Sequence, residues 1–485
     1  MSRERNLCPV AAAAQRAPEA LALVAGSTRW TYAQLEAEVA RWQTRLERLV
    51  PASSQGTRRI AVLSNNSPAL LAVIHAAARA GIELALLNAR LAAPELASQL
   101  LRLAPAPCLA SPELAHLLPS PQLLRGDEEP APVRAADAGP IDPARVHALL
   151  FTSGTTGTPR LAQLTVGALQ ASARAVNQVL KVNERSFYLL CLPLFHVGGL
   201  GIALRSALAG ATVVLHERFD AAAVAQVIDS AAGAAPGGAD SRVVLSLVAS
   251  TLARLLDQRR SFPSTVQAAL IGGGPVPPDL LARARRAGIP ALETYGLTEA
   301  SSSVTIDGLP LPGTEVRIVD GEIEVRGPTL MRGYLGEAPL DQRGLRTGDL
   351  GTLDGDGRLT VLARRTDLIL SGGENVYPAE VEAALLAHPL IAEAAVLPAP
   401  DPRWGQVGVA ALVLRPEPGA PAAKTGAEEG DPPLGSSEIP PDLDGFLRAR
   451  LATFKIPRRF VGLAALPRTA LGKIDRPALL KLLGA

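Results

Sequence analysis

Val-His-Ala-Leu-Leu-Phe-Thr-Ser-Gly-Thr-Thr-Gly-Thr-Pro-Arg, residues 146–160, joins an apolar strand to a run of small hydroxyl and glycine residues. Packing alone gives a core strand no reason to end on Thr152, Ser153, Gly154, Thr155, Thr156 and Gly157. Glycines let backbone N–H groups approach an anion closely and hydroxyls add donors, a composition suited to a triphosphate. It is not the ordinary nucleotide loop, because no Lys-Ser/Thr pair stands at the required spacing. A flexible turn is the competing reading.

Outward from this stretch, short apolar runs alternate with helical patterns, the signature of βαβ units and a parallel sheet. Residues 60–63 read as a strand, Ser67 caps a helix with Pro68 at its first position, and Gly81 ends it before a strand at 82–87. The grammar recurs: 211–215 leads to an Asp220-capped helix, 243–247 to a helix at 251–256, and 267–271 to a helix after Pro277 and Pro278. From Gly313 the strands become charged and alternating, with Asp320-Gly321 turning 315–319 into 322–326. Past Arg364 the pattern is mixed: a strand at 368–370, a glycine turn, and a helix from about Pro378 to His388. The expected fold class is α/β. A large N-terminal domain has parallel-type βαβ sheets plus a β-rich subdomain, and a small α+β C-terminal domain follows. Residues 119–140 and 416–441, rich in Pro, Ala, Gly and acidic residues, read as loops or linkers.

A chain of 485 residues exceeds the usual size of a single core, so at least two domains are expected. With 48% hydrophobic and 19% charged residues it is globular, and a net charge of +2 supplies no field for nucleic acid. The cysteines Cys8, Cys108 and Cys191 are odd in number and widely spaced, which indicates neither a disulfide framework nor a zinc site and fits a cytoplasmic protein. Residues 187–204 carry no formal charge and approach the length of a membrane span, but Pro193, His196 and the glycines split them into a strand, a loop and a helix start. No membrane insertion and no signal peptide are expected; a homo-oligomer stays open.

The loop at 152–160 resembles that of the adenylate-forming superfamily of acyl-CoA synthetases, luciferases and adenylation domains. Tyr295-Gly296-Leu297-Thr298-Glu299, Arg346-Thr347-Gly348-Asp349-Leu350, Arg364-Arg365-Thr366-Asp367, Ser371-Gly372-Gly373-Glu374-Asn375 and residues 467–475 are similar to family segments in the family's order. The resemblance covers roughly residues 15–485 and implies an acid-CoA ligase using ATP, Mg²⁺ and CoA, with a mobile C-terminal domain.

The site residues also make chemical sense. Attack of a carboxylate on the α-phosphate builds negative charge, which needs placed cations and donors rather than a covalent nucleophile. Glu299 is a hard oxygen ligand for Mg²⁺, or else a solvated cap, and Thr298 can donate to the α-phosphate. Gly272-Gly273-Gly274 leaves space for adenine or makes a tight turn.

The resemblance implies nucleotide contacts for Tyr295 and Arg160, ribose contacts for Asp349 and Arg364, and catalysis by Lys473. It further implies a hinge at Thr366, dividing the chain into 1–363, 364–366 and 367–485, and a CoA tunnel shaped by Gly372, Gly373 and Glu374. Two departures stand out: Arg160 replaces the loop lysine of many relatives, with Leu161 in place of the following glycine, and Thr366 replaces a hinge Asp or Lys.

Pro193-Leu194-Phe195-His196-Val197-Gly198-Gly199-Leu200 with Arg205, and the Gly-Gly-Glu-Asn-Val-Tyr-Pro wording at 372–378, resemble the 2-succinylbenzoate-CoA ligase branch of the superfamily. That acid is an aromatic dicarboxylate, so one carboxylate is activated and the other needs an anchor. Arg205 is the candidate, a structural ion pair or an exposed helix charge being the alternatives. His196 is placed with the catalytic residues as a gate lining the acyl pocket, against a satisfied core histidine. Ser302 is a candidate substrate contact. Another aryl or medium-chain acid is the nearest alternative substrate, and an amino acid the more distant one, since Phe195-His196 supplies no acid for an ammonium group.

Overall fold

A computed structural model describes residues 8–51, 57–104, 106–124, 140–153, 159–233, 241–274, 276, 278–341, 343–364, 369–415, 439–467, 474 and 476–484. Gly154, Thr155, Thr156, Gly157, Thr366 and Lys473 therefore lie outside the described residues, as do the side chains of Ser153 and Arg364. The chain divides into two compact units. Met1–Ala89, Gln99–Thr152 and Arg160–Ala363 form the first; Arg90–Ser98, Ser153–Pro159 and Arg364–Ala485 form the second.

The first unit is built on a nine-stranded and a six-stranded sheet, each with a parallel centre. In the larger, Ser186–Leu190, Thr212–Leu215, Arg242–Leu247, Val266–Ile271 and Ala291–Leu297 run parallel, and antiparallel pairs close both edges. Ser186–Leu190 is buried throughout, because helices cover both faces of such a sheet and its strands cannot alternate with water. Leu189 and Leu245 on these strands are fully buried, each contributing about 1.5–3 kcal/mol of transfer free energy.

In the six-stranded sheet, Arg59–Leu63, Glu83–Leu87 and Val146–Ser153 lie in parallel succession. Between the first two runs the helix Pro68–Ala80; Ser67 Oγ accepts from Leu70 N, and Gly81 closes it at φ 64°. Proline at the first helical turn needs no N–H partner, and glycine takes the left-handed closing conformation without a Cβ penalty, so sequence and structure agree for a physical reason. Gln122–Leu123 pairs parallel to Cys108–Ala110, so the first part of the stretch read as a loop at 119–140 is a sheet edge instead. Its short length and polar flanks hid it.

The β-rich region is a four-stranded sheet whose first three strands are antiparallel. Its first hairpin joins Glu315–Val319 to Glu322–Arg326 through Asp320 (φ 52°) and Gly321 (φ 76°). Two positive φ values in a row match the right-handed strand twist, which is what the Asp-Gly pair supplies.

In the second unit a five-stranded sheet contains the long pair Ile391–Asp401 and Gly405–Leu414, against which Pro378–Leu386 packs through Val381 and Leu385. A buried lysine, Lys455, is held there by Glu95 (2.6 Å) and Glu380 (2.7 Å). The charge-free segment at 187–204 resolves into the strand Ser186–Leu190 and the helix Val197–Ala209. No described helix is long and apolar enough to cross a membrane.

Candidate functional site

The glycine and hydroxyl segments fall at the carboxyl ends of parallel strands, where open α/β sheets place their ligands. Val146–Ser153 ends just before residues 154–158, which lie outside the described residues, Val266–Ile271 ends on Gly272, and Ala291–Leu297 ends on the turn Thr298–Ala300. Thr152 Oγ1 is buried at the end of this first strand, on the side of the Tyr334 hydroxyl.

Gly272 and Gly273 have packing reasons of their own. A Cβ on Gly272 would meet Thr294 Cγ2 at 2.6 Å, and Gly273 has φ 83° with Val248 Cγ1 at 3.1 Å from a Cβ position. The first requirement comes from the neighbouring strand Ala291–Leu297 and the second from the strand-end turn, the alternative that the sequence left open.

Asp349 sits on Leu345–Leu353 and accepts from the Tyr295 hydroxyl at 2.8 Å, which ties two of the predicted nucleotide residues together. The turn before it is made by Gly348 at φ 78°, whose N–H donates to Glu322 (2.8 Å), while Glu322 also receives Arg346 (2.7 Å). Glu322 is almost fully buried, so this carboxylate fixes the loop that presents Asp349. Sequence reading missed it because it lies in an alternating strand and looks like an outward-facing residue.

Glu299 follows Thr298 in the turn and accepts from the Tyr334 hydroxyl at 2.7 Å. Burial raises the Tyr334 phenol, and the adjacent Glu299 charge adds to that, so the tyrosine stays a donor. Among the described residues no group of three His, Cys, Asp or Glu side chains could hold a metal ion. Mg²⁺ commonly keeps waters and substrate phosphates and takes only one or two carboxylates, so Glu299 is a donor that fits it.

Arg160, on Pro159–Thr165, does not reach into empty solvent. It pairs through both Nε and Nη2 with Glu337 and lies over the Tyr334 ring, 3.4 Å from its centroid. Neither Tyr334 nor Glu337 was found by sequence reading; a tyrosine and an acid in an aperiodic, glycine-containing segment was the only available signal.

Arg205 lies on Val197–Ala209 with 1% of its surface exposed. Its Nη2 donates to Ser302 Oγ (3.0 Å), its Nη1 to the Tyr188 hydroxyl (3.3 Å), and Nε has no partner. Its hydrogen-bond partners are hydroxyls and it is buried, so among the described residues neither a structural ion pair nor an exposed helix charge is formed there. Tyr188 in turn contacts Ser246 at 2.9 Å. Ser302, beside it, has φ 110° and Ser301 φ 56°, two consecutive non-glycine residues in sparsely populated backbone. The Ser301 carbonyl is held by Ser172 Oγ at 2.7 Å. The arginine and the strained serine that were predicted separately are thus brought together.

His196 precedes that helix, half-buried, with its ring 4.8 Å from Phe195. Gly199 lets the helix start close on the preceding loop, because a Cβ would overlap the Pro193 carbonyl.

In the second unit, Gly372 (φ 60°) and Gly373 (φ 85°) turn Ile369–Ser371 into Glu374–Val376. A Cβ on Gly372 would meet the Trp404 ring at 2.6 Å. Glu374 is buried and ion-paired with Arg90 of the same unit.

A family model described as AMP-binding enzyme matches residues 10–335, and one described as AMP-binding enzyme C-terminal domain matches residues 380–473. The chain is 35% identical over 503 aligned residues to a 2-succinylbenzoate–CoA ligase of Bacillus velezensis, covering 96% of this chain and 95% of that one. It is also similar to solved structures of the o-succinylbenzoate CoA synthetase of Bacillus subtilis. A double mutant bound with its product analogue OSB-NCoA gives a TM-score of 0.84 at 32% identity over 98% of both chains. The complex with the acyl-adenylate intermediate OSB-AMP gives 0.67 at 32% identity over 98% of each. The complex with ATP and magnesium ion gives 0.67 at 32% identity, covering 97% of this chain and 98% of that one.

Proposed function

Because the chain belongs to the AMP-binding enzyme family, we propose that it is an acid-CoA ligase acting through an acyl-adenylate, and that its acid is 2-succinylbenzoate. In the first step a carboxylate oxygen of the acid attacks the α-phosphorus of ATP, the bond to the β-phosphate bridging oxygen breaks, and pyrophosphate leaves. In the second the CoA thiolate attacks the acyl carbonyl and AMP leaves with the electron pair of the mixed anhydride, the thiol proton passing to solvent. Mg²⁺, when bound, neutralises phosphate charge.

The observation that carries the choice of acid is Arg205, buried beside Ser302 with no carboxylate partner among the described residues. An isolated buried charge is expensive, and the carboxylate of the acid that is not activated would compensate it through charge-assisted hydrogen bonds. His196 and Phe195 would line the acyl pocket ahead of the same helix.

For the nucleotide, we assign the ribose to Asp349 and Arg364, the adenine to the Gly272–Gly274 turn and Tyr295, and the phosphates to the loop from Thr152 to Arg160. Lys473 is assigned the adenylation step by its place in the motif series. The proposed division is 1–363 and 367–485, with Thr366 in the hinge and Gly372, Gly373 and Glu374 along the CoA path. We place the protein in the cytoplasm, a reading that its free cysteines support.

ATP–pyrophosphate exchange and CoA-dependent AMP formation across a panel of acids test this reading. Exchange strongest with 2-succinylbenzoate is expected. No exchange with any acid overturns the ligase reading, and faster turnover of benzoate or a fatty acid overturns the substrate.

A further inference from the structure

Residues 331–337 are pinned on both sides. Met331 N donates to the Glu299 carbonyl (2.8 Å), Arg332 N to Gln163 O (2.9 Å), and Leu335 N to Leu161 O (2.8 Å), while Gln163 N donates to Gly333 O (3.0 Å). The segment therefore runs antiparallel to Pro159–Thr165, and this register puts Tyr334 between Glu299 and Arg160 with Glu337 one turn further on.

The two faces of that tyrosine do different things. Its hydroxyl donates to Glu299 Oε1 at 2.7 Å, and its ring carries the Arg160 guanidinium at 3.4 Å. Glu337 takes Nε and Nη2 of the same guanidinium, which fixes its rotation about the stacking axis. A guanidinium has five N–H donors, so this side-on pairing leaves those of Nη1 for an oxyanion. An arginine needs such fixing more than a lysine would, because its planar fork binds well only in the right plane, whereas an ammonium is a point charge.

We propose that Tyr334 and Glu337 are positioning residues for this ligase. Tyr334 orients the Glu299 carboxylate toward the metal of Mg·ATP, and Glu337 clamps Arg160 over Tyr334 so that its remaining edge faces the phosphates. This rests on the ligase reading above and extends it to a device matched to the arginine in the loop. The two residues act on different partners, so their loss separates. Tyr334→Phe keeps the ring and the stack but removes the hydroxyl, and partners of this kind are typically worth 10–100-fold in metal affinity. Glu337→Gln keeps the shape but removes the charge that holds Arg160.

The test is calorimetric titration of ATP into the full-length protein without acid, where no turnover occurs, with Mg²⁺ and with EDTA. The unsubstituted protein is expected to bind ATP more tightly with Mg²⁺. Tyr334→Phe should reduce that Mg²⁺-dependent gain roughly tenfold or more and leave the affinity in EDTA unchanged. Glu337→Gln should weaken binding by a similar factor in both conditions, and Glu337→Asp should recover part of the loss. An undiminished Mg²⁺ gain in Tyr334→Phe, or unchanged ATP affinity in Glu337→Gln, overturns the proposal while leaving the ligase reading intact. Failure of the unsubstituted protein to bind ATP overturns both.

Discussion

Replacing Arg205 by methionine separates a substrate anchor from a structural cation. In the structure this residue is 1% exposed, has no carboxylate partner among the described residues, and makes hydrogen bonds of 3.0 and 3.3 Å to Ser302 and Tyr188. Removing an uncompensated buried charge relieves several kcal/mol of desolvation, and methionine fills much of the same volume. Against this, each hydroxyl loses one donor, at about 1–3 kcal/mol if it finds no other, and Tyr188 retains Ser246 at 2.9 Å. The balance is close to zero, so the melting temperature of the unliganded protein should hold or rise. Binding behaves differently. Truncating one partner of a buried charge pair costs about 2–5 kcal/mol. The KM for 2-succinylbenzoate should therefore rise at least roughly thirtyfold, with the KM for ATP unchanged. Benzoate, which lacks the second carboxylate, should be used no worse by the variant. The assays are thermal unfolding without ligand and steady-state AMP formation with both acids. A marked loss of stability together with equal effects on the two acids would refute the reasoning, since a structural cation predicts both.

Asp349→Asn should raise the KM for ATP roughly tenfold or more in the exchange assay by replacing a charge-assisted ribose contact with a neutral one, while acid affinity stays. Lys473→Ala should abolish adenylation in pyrophosphate exchange yet retain most of the thioester step when the acyl-adenylate is supplied; equal loss of both steps would count against its assigned role. Gly199→Ala should destabilise the protein by about 1–3 kcal/mol in denaturant titration, because the new Cβ overlaps the Pro193 carbonyl. His75 is fully buried and burial lowers its pKa to about 3, with His147 lowered beside it for the same reason. The unfolded chain then binds more protons at His75 than the folded one between pH 6.5 and about 3, so stability falls as pH drops through that window, by up to about 1.4 kcal/mol per pH unit for His75. His75→Leu should flatten the slope in pH-dependent unfolding.

What could be read from the sequence follows from how local the cause is. Ser67-Pro68 and Gly81 bound a helix because caps act within one turn, and Asp320-Gly321 makes a hairpin because two residues set its twist. Tyr295 and Asp349 were readable as separate motifs, yet their hydrogen bond joins residues far apart in the chain. Residues that only hold others in place are harder to see, because their chemistry is ordinary and their meaning comes from register. Glu322 resembles any strand carboxylate until Gly348 and Arg346 converge on it. Tyr334 and Glu337 gain their roles only when residues 331–337 pair with Pro159–Thr165, a pairing that no local pattern announces. Arg160 illustrates the consequence. From the sequence it was a departure that kept the charge and altered the geometry. In the structure the altered geometry has its own support, a ring beneath and a carboxylate alongside. Returning Arg160 to lysine would leave the ring and the carboxylate in place but remove the planar fork they hold, so the substitution taken alone should weaken ATP binding rather than restore it.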